Sequence, residues 1–491
     1  MGKQVFYKTL IYFIILAGIV ISLYQFFYGR SLWNDEATLS YNIIQKSPAQ
    51  LLQPLHLAQV APILFLQIEH FFFFYIASSD YGLRLFPLFC YLTSIYFFYA
   101  GLKNSVRNPL TIVFAMSVYV FCSTLIYYSS EVKQYMGDVL LTSVFYYTYL
   151  KPFKNNSNRV IALGFLGVVS IFFSNIACIL LLTLGLCLVF DAYRKRVFPV
   201  ILAMVYLVWA IVFFIYYVNF IKNHPTRDYM LQYWTKEKGF MPMNPLKLDF
   251  YSFLIQKFQM IFYFLFGYGQ LGKLLLPILL ITGVIKSYIS KKIDLIILIL
   301  CPIITHFILS GLKLYPFEKR LILYLFPIIT FGCALGFDFM IDLIKIRLSK
   351  QLLRKLTLTT LFIPLIFFSF SYGNGLPITK REYEQVIENI KPRIVSGDKI
   401  YIYGELIPTY WFYRDVKKYS FHNLVIEGSY PDRKKYIDEL KKIKGRCWVI
   451  LSDEGTEGGK YIVNTLDSLK LKKLYFFEAP GASAYLYDFG K

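Results

Sequence analysis

Two adjacent carboxylates, Asp35 and Glu36 in Leu32-Trp33-Asn34-Asp35-Glu36-Ala37, stand directly after the first apolar run of the chain. Carboxyl groups held at a water-facing site can serve proton transfer. They also have an ordinary explanation, in which Asn34 or Asp35 caps a helix starting near Ala37 and acidic residues in its first turn favour the dipole. A cap accounts for one carboxylate better than for two. A second cluster is Tyr127-Tyr128-Ser129-Ser130-Glu131-Val132-Lys133-Gln134-Tyr135, followed by Asp138. On a helix running from Glu131, the side chains of Glu131, Tyr135 and Asp138 share one face through i, i+4, i+7 spacing. Asp138 then lies inside the bilayer edge, where a charge needs a partner or a wet cavity. An ion pair of Glu131 or Asp138 with Lys133 is the plainer alternative. Cations complete the set: Arg84, and Lys319 with Arg320 in Pro316-Phe317-Glu318-Lys319-Arg320. Arginine at the mouth of a span commonly meets lipid headgroups, but several cations converging on paired carboxylates suit a substrate that carries phosphate. The five histidines show no metal-ligand spacing, and no HExxH, CxxC or Gly-rich phosphate loop occurs.

A membrane bundle must position these groups. Of 491 residues, 57% are hydrophobic and 19% aromatic, yet Lys plus Arg exceeds Asp plus Glu by 52 − 30 = 22. A soluble domain rarely exceeds half apolar, so the surplus faces lipid, and disorder, a collagen-like fibre and a disulfide scaffold are excluded. The first run, Thr9–Phe27, follows Lys3 and Lys8 and lacks a small-x-small cleavage site, so a retained helix entering from the cytoplasm is expected. Further runs fall at Tyr81–Leu102, Pro109–Tyr128, Tyr135–Leu150, Val160–Asn175, Ile176–Phe190, Phe198–Tyr217, Leu274–Ile289, Ile293–Leu312, Leu321–Ile344 and Leu356–Tyr372, giving eleven expected spans. Every second connection is short and basic: Lys103 and Arg107; Lys151, Lys154 and Arg159; Arg194 to Arg196; Lys286, Lys291 and Lys292; Lys345 to Lys355. That register satisfies the positive-inside rule with a cytoplasmic N-terminus, and it explains the basic excess without a nucleic-acid partner. A membrane domain over 1–372 and a soluble extracytoplasmic α/β domain over 373–491 are expected, the latter from β-rich runs alternating with charged helical patterns. Outer loops at 29–80 and 219–273 complete the map, the first carrying one or two interfacial helices, with Glu69 and His70 in its apolar stretch Pro62–Ala77. Six of the seven cysteines fall in spans and leave Cys447 alone in the tail, so no disulfide forms there.

The order of these features resembles the GT-C-type membrane glycosyltransferases, in particular bacterial members of the dolichyl-phosphate-mannose-protein mannosyltransferase (glycosyltransferase 39) superfamily. The matching pieces are Asp35-Glu36, Gln59-Val60-Ala61-Pro62-Ile63-Leu64, Tyr81-Gly82-Leu83-Arg84-Leu85-Phe86-Pro87, Tyr128 to Tyr135, Lys319-Arg320-Leu321 and Ser396-Gly397-Asp398-Lys399-Ile400-Tyr401. Lys133 stands where members often carry Arg, and Ala61-Pro62 where many have Pro-Pro. The resemblance implies a hexosyl- or pentosyltransferase that takes a sugar from a polyprenyl-phosphate donor and places it, with inversion, on a glycan, lipid or protein acceptor. It implies action at the outer face of the cytoplasmic membrane. Asp35, Glu36 and Glu131 are then the catalytic candidates; Arg84, Lys133, Lys319 and Arg320 bind the donor phosphate; Gln59, Tyr135 and Asp138 line the substrate pocket. The resemblance leaves metal use open, since superfamily members differ in it; a divalent cation, Mg or Mn, would take Asp35 and Glu131 as oxygen ligands. The alternative from another class is a transporter or flippase of lipid-linked sugars, and a third reading makes the tail a binding module on an inactive anchor.

Overall fold

The computed structural model describes residues 2–196, 200–222, 224–267, 269–347, 362–373, 375–419, 421, 424–429, 433–452, 457–469 and 471–490. Each of the eleven apolar runs falls on helix within these residues, while residues 198–199 of the seventh run, residues 356–361 of the last run, and His422 lie outside them. Seven of the described helices are long and apolar enough to cross a membrane, beginning with Gln4–Phe27 and ending with Leu325–Lys345. Four shorter apolar helices, Ile63–Ile76, Pro109–Val120, Ser157–Phe173 and Phe362–Tyr372, add to them. The chain divides into two compact units, one of residues 1–25, 60–68 and 85–376, the other of residues 26–59, 69–84 and 377–491.

The first unit is helical. Its tightest pairing joins Gly269–Ile289 to Leu325–Arg347, and glycine permits it: a Cβ on Gly283 would meet the Gly332 carbonyl oxygen at 2.1 Å, and one on Gly336 the Leu279 carbonyl at 1.8 Å. Lipid supplies no hydrophobic drive for helix pairing, so close backbone approach through small residues supplies van der Waals contact instead. The run Pro109–Tyr128, expected as one span, is two helices, Pro109–Val120 and Ser123–Tyr128. At the break the Cys122 thiol donates to the Leu265 carbonyl (3.1 Å), and the Thr124 hydroxyl to that of Phe264 (2.8 Å). The 219–273 segment, expected as a loop, carries the helices Arg227–Lys236 and Leu248–Phe264. The second of these holds Lys257, which is buried and ion-paired with Glu318. Its polar positions, Gln256, Lys257 and Gln259, interrupt the apolar pattern and hide the helix in a hydropathy reading.

The second unit carries a five-stranded sheet in the order β2-β1-β3-β5-β4, with β1 at Lys399–Ile402, β2 at Val425–Glu427, β3 at Arg446–Ser452, β4 at Lys472–Ala479 and β5 at Ala482–Asp488. β1 pairs parallel with β2 and β3, Tyr401 lying opposite Ile426 and Val449, while β5 pairs antiparallel with β3 and β4. The central strand β3 is buried from Cys447 to Ser452, as a strand covered on both faces must be. Helices Arg433–Leu440 and Glu457–Ser468 place Tyr436, Leu440, Ile462 and Leu466 in the core formed with Tyr401, Val449 and Tyr487. The helix Asn34–Gln45 of the first outer loop belongs to this same unit and packs on Ile407–Lys417 from the tail. Tyr41 meets Trp411 with ring centroids 5.4 Å apart, and Gln45 donates to Asp415 at 2.8 Å.

Candidate functional site

In the second unit the carboxylate pair lies in the first turn of Asn34–Gln45, which starts at Asn34 with Trp33 at the cap position, three residues ahead of the expected start. Neither Asn34 nor Asp35 is the cap. Glu36 accepts from the Trp33 backbone N–H at 3.4 Å, the acidic arm of a capping box. Its carboxylate is fully buried, and Arg30 grips it with Nη1 at 2.7 Å from Oε2 and Nη2 at 3.0 Å from Oε1. A bidentate Arg–carboxylate pair suits burial because both charges are met by matched hydrogen bonds.

Asp35 is half-buried, and its Oδ1 accepts from Gln59 Nε2 at 3.1 Å. Gln59 reaches it from a loop in an uncommon backbone state: Leu57 and Ala58 have φ of +58° and +54°. Two successive non-glycine residues in the left-handed region cost roughly 1–2 kcal/mol each and persist only where neighbours impose them. The neighbour is Asn42, whose side chain accepts from the His56 N–H (2.7 Å) and donates to the His56 carbonyl (3.1 Å).

The backbone entering this turn is tied to the tail. Ser31 N–H donates to Glu382 Oε2 at 3.0 Å, Leu32 N–H donates to the Tyr413 hydroxyl at 2.9 Å, and the Lys380 ammonium sits 3.2 Å from the Trp33 ring centre. Burial raises the Glu382 carboxyl above its usual range, opposed by the Ser31 hydrogen bonds and the Arg30 charge. Burial likewise raises Glu384, whose carboxylate pairs with Lys417 at 2.6 Å. Arg84 is fully buried beside Asp80, with Nη1 at 3.1 Å from Oδ2, while its Nε and Nη2 have no acceptor among the described residues. Glu69 is also fully buried, and neither of its oxygens has a partner among the described residues.

In the first unit the segment Ser129–Gln134 is irregular rather than helical, because the following helix starts at Tyr135. Glu131 therefore does not share a helix face with Tyr135 and Asp138. The segment is nonetheless buried, from Ser129 at 0% exposure to Gln134 at 6%, with Glu131 at 1% and Lys133 at 5%. Loops normally run over the surface, and non-helical backbone at membrane depth occurs only inside protein or along a cavity. A buried loop with two charged side chains is thus a functional candidate in its own right. Asp138 accepts a hydrogen bond from the Ser174 hydroxyl at 2.5 Å. Arg320, on the short turn Lys319–Ile322, lies over the Tyr135 ring at 5.7 Å from its centre, so the structure joins these two candidates; Lys319 is exposed. His306 spends both ring nitrogens, on the Tyr324 hydroxyl (3.1 Å) and the Pro316 carbonyl (3.0 Å).

Among the described residues no three His, Cys, Asp or Glu side chains converge as metal ligands, and Glu36 is occupied by Arg30. Two contributors were missed in the sequence, Arg30 and Glu382. Arg30 is a lone cation six residues before Glu36, a spacing with no helical meaning, and Glu382 is 351 positions from Ser31, which it holds. Glu69 carried a signal, being a carboxylate inside an apolar run.

This is a multi-pass membrane protein with the GT-C-type fold. It is similar to the crystal structure of ArnT from Cupriavidus metallidurans bound to undecaprenyl phosphate, with TM-score 0.50 and 12% identity over 98% of this chain and 97% of that one. The apo state of ArnT gives TM-score 0.52 at 10% identity, covering 98% of each chain. The oligosaccharyltransferase from Archaeoglobus fulgidus, in its apo form, gives TM-score 0.52 at 12% identity over 99% of this chain and 75% of that one. No protein-family model and no curated protein sequence matches the chain.

Proposed function

We propose that the protein is a glycosyltransferase that moves a sugar from a polyprenyl-phosphate donor to a glycan, lipid or protein acceptor at the outer face of the cytoplasmic membrane, with inversion at the anomeric carbon. The observation that carries this reading is the division of labour within the carboxylate pair. Glu36 is locked by Arg30, whereas Asp35, one residue away, is half-buried and oriented by Gln59. Asp35 accepts the proton of the acceptor hydroxyl, the oxygen attacks the anomeric carbon, and the bond from that carbon to the phosphate oxygen breaks, releasing the lipid phosphate. Glu36 is a positioning residue, acting through Arg30 on the turn that presents Asp35. In the same unit Arg84, whose Nε and Nη2 have no acceptor among the described residues, binds donor phosphate.

In the helical unit Lys133, Lys319 and Arg320 bind donor phosphate, Glu131 orients substrate, and Tyr135 and Asp138 line the pocket. The fold supports this reading, because ArnT has been solved with undecaprenyl phosphate bound. The test is transfer from labelled polyprenyl-phosphate sugar in membranes carrying Asp35→Asn or Glu131→Gln. A general base contributes about 10²–10⁴-fold, so the Asp35 variant should lose activity on that scale. Undiminished transfer by both variants rejects the assignment, and movement of lipid across proteoliposomes without a new glycosidic bond identifies a flippase instead.

A further inference from the structure

The helical unit contains a cavity of about 590 Å³ that the glycosyl-transfer reading does not use. It lies where the connection 105–109, the connection 289–293 and the end of the helix Leu325–Arg347 come together, and it is lined by Arg107, Asn108, Lys286, Lys292, Asp338 and Lys345, among others. By the alternation of basic connections this is the cytoplasmic end of the bundle, whereas Glu131 and Arg320 belong to outward connections. Its size falls within the roughly 300–1,000 Å³ of small-ligand clefts.

The charges around it are unequal. Arg107, Lys286, Lys292 and Lys345 give four positive charges against Asp338 and Asp342, a surplus of 4 − 2 = 2. The two carboxylates are already spent. Asp338 takes the Lys286 ammonium and the Thr111 hydroxyl (2.9 Å), and Asp342 lies 3.9 Å from Lys286 and 3.7 Å from Lys345. Arg107 and Lys292 are exposed and make no ion pair among the described residues. Two independent features ask for an anion as well. The Asn108 side chain caps Pro109–Val120 through its oxygen, at 3.2 Å from the Leu110 N–H, but its amide nitrogen is buried with no acceptor among the described residues. Helices Pro109–Val120 and Ile293–Gly311 both start at the cavity, so their positive ends lie at it. Ser290 adds a hydroxyl donor, whereas the Ser287 hydroxyl donates to the Gly283 carbonyl at 2.9 Å.

We infer that this cavity binds a phosphate group at the cytoplasmic surface, gripped by Arg107 and Lys292 with the Asn108 amide as a third donor. Anionic phospholipid headgroups and soluble phosphate compounds share that chemistry, and basic pockets between helices on this side are where lipid phosphates bind.

The full chain in nanodiscs tests the site, with native mass spectrometry reading retention of phosphatidylglycerol against phosphatidylcholine, and thermal unfolding reading stabilisation by inorganic phosphate. Charge-assisted bonds of this kind make the Arg107→Gln, Lys292→Gln double variant lose roughly tenfold in affinity. If phosphatidylglycerol retention falls, the ligand is a lipid headgroup; if only the stabilisation by inorganic phosphate falls, it is a soluble phosphate. Asp342→Asn, a change at an exposed position, removes an acidic competitor and strengthens binding in the same assay, a sign that general damage to the fold does not produce. Retention and stabilisation unmoved by the double variant, or no gain in Asp342→Asn, overturn the proposal.

Discussion

Arg30 and Glu36 form a two-point ion pair, with hydrogen bonds of 2.7 and 3.0 Å, in a site that excludes water from both side chains. The pair fixes the turn that carries Asp35, so the neighbouring acids respond differently to removal of their charge.

Glu36→Ala leaves the Arg30 guanidinium buried without its anion, and breaking a buried pair in this way costs about 3–5 kcal/mol. Thermal unfolding of the detergent-solubilised protein should show that loss for Glu36→Ala. Asp35→Asn should unfold near the wild-type temperature while losing transfer.

On the proposed reading Gln59 positions Asp35 through their 3.1 Å hydrogen bond. Gln59→Leu removes a hydrogen bond to a carboxylate and should lower kcat roughly tenfold while acceptor KM stays close to wild type. Gln59→Glu keeps the shape but opposes Asp35 with a second carboxylate, so its kcat should fall further. Equal effects of the two variants on KM alone would show that Gln59 contacts substrate instead.

The left-handed backbone at Ala58 makes a second prediction for the same loop. Glycine adopts this conformation without the steric cost, less the extra entropy it has when unfolded, so Ala58→Gly should stabilise the protein by about 0.5–1 kcal/mol. Ala58→Val should destabilise it, and unfolding temperatures that move together in both variants would contradict the strain.

Glu382 links stability to pH. Its folded carboxyl holds a proton more tightly than the unfolded one, because burial disfavours the charge. Between the ordinary glutamate value and the raised folded value the folded state binds more protons, so stability falls as pH rises through that window. Glu382→Gln keeps an acceptor for Ser31 and removes the titration. Unfolding midpoints measured upward from about pH 4.5 should therefore decline less steeply in this variant.

The seven helices long enough to cross a membrane were legible because apolar runs of the right length admit few alternatives in a bilayer. β1, β3, β4 and β5 were legible for a related reason, as short β-rich runs. β2 was not, since three residues carry no period, and the helix Leu248–Phe264 was masked by Gln256, Lys257 and Gln259. Asp35 and Gln59 stood out as residues, but their hydrogen bond did not, because it depends on Asn42 forcing the backbone at Leu57 and Ala58. The Glu131 segment fails as a helix for reasons of burial and tertiary contact that i, i+4 spacing does not contain. Arg30 and Glu382 were invisible because their partners are set by long-range folding.

The unit that holds Asp35 is assembled from three separated stretches, with residues 85–376, a length of 292, made between the second and third. At about 5–20 residues per second, the ribosome needs roughly 15–60 s to supply Glu382, Trp411 and Tyr413 after the first outer loop has emerged. Throughout that interval the Ser31 and Leu32 amides lack their acceptors, and Tyr41 lacks the ring it packs against. The loop should therefore be exposed to chaperones and proteases during biogenesis. A nonsense mutation upstream of residue 377 leaves it in that state permanently, so such a product should be cleared from the membrane rather than accumulate.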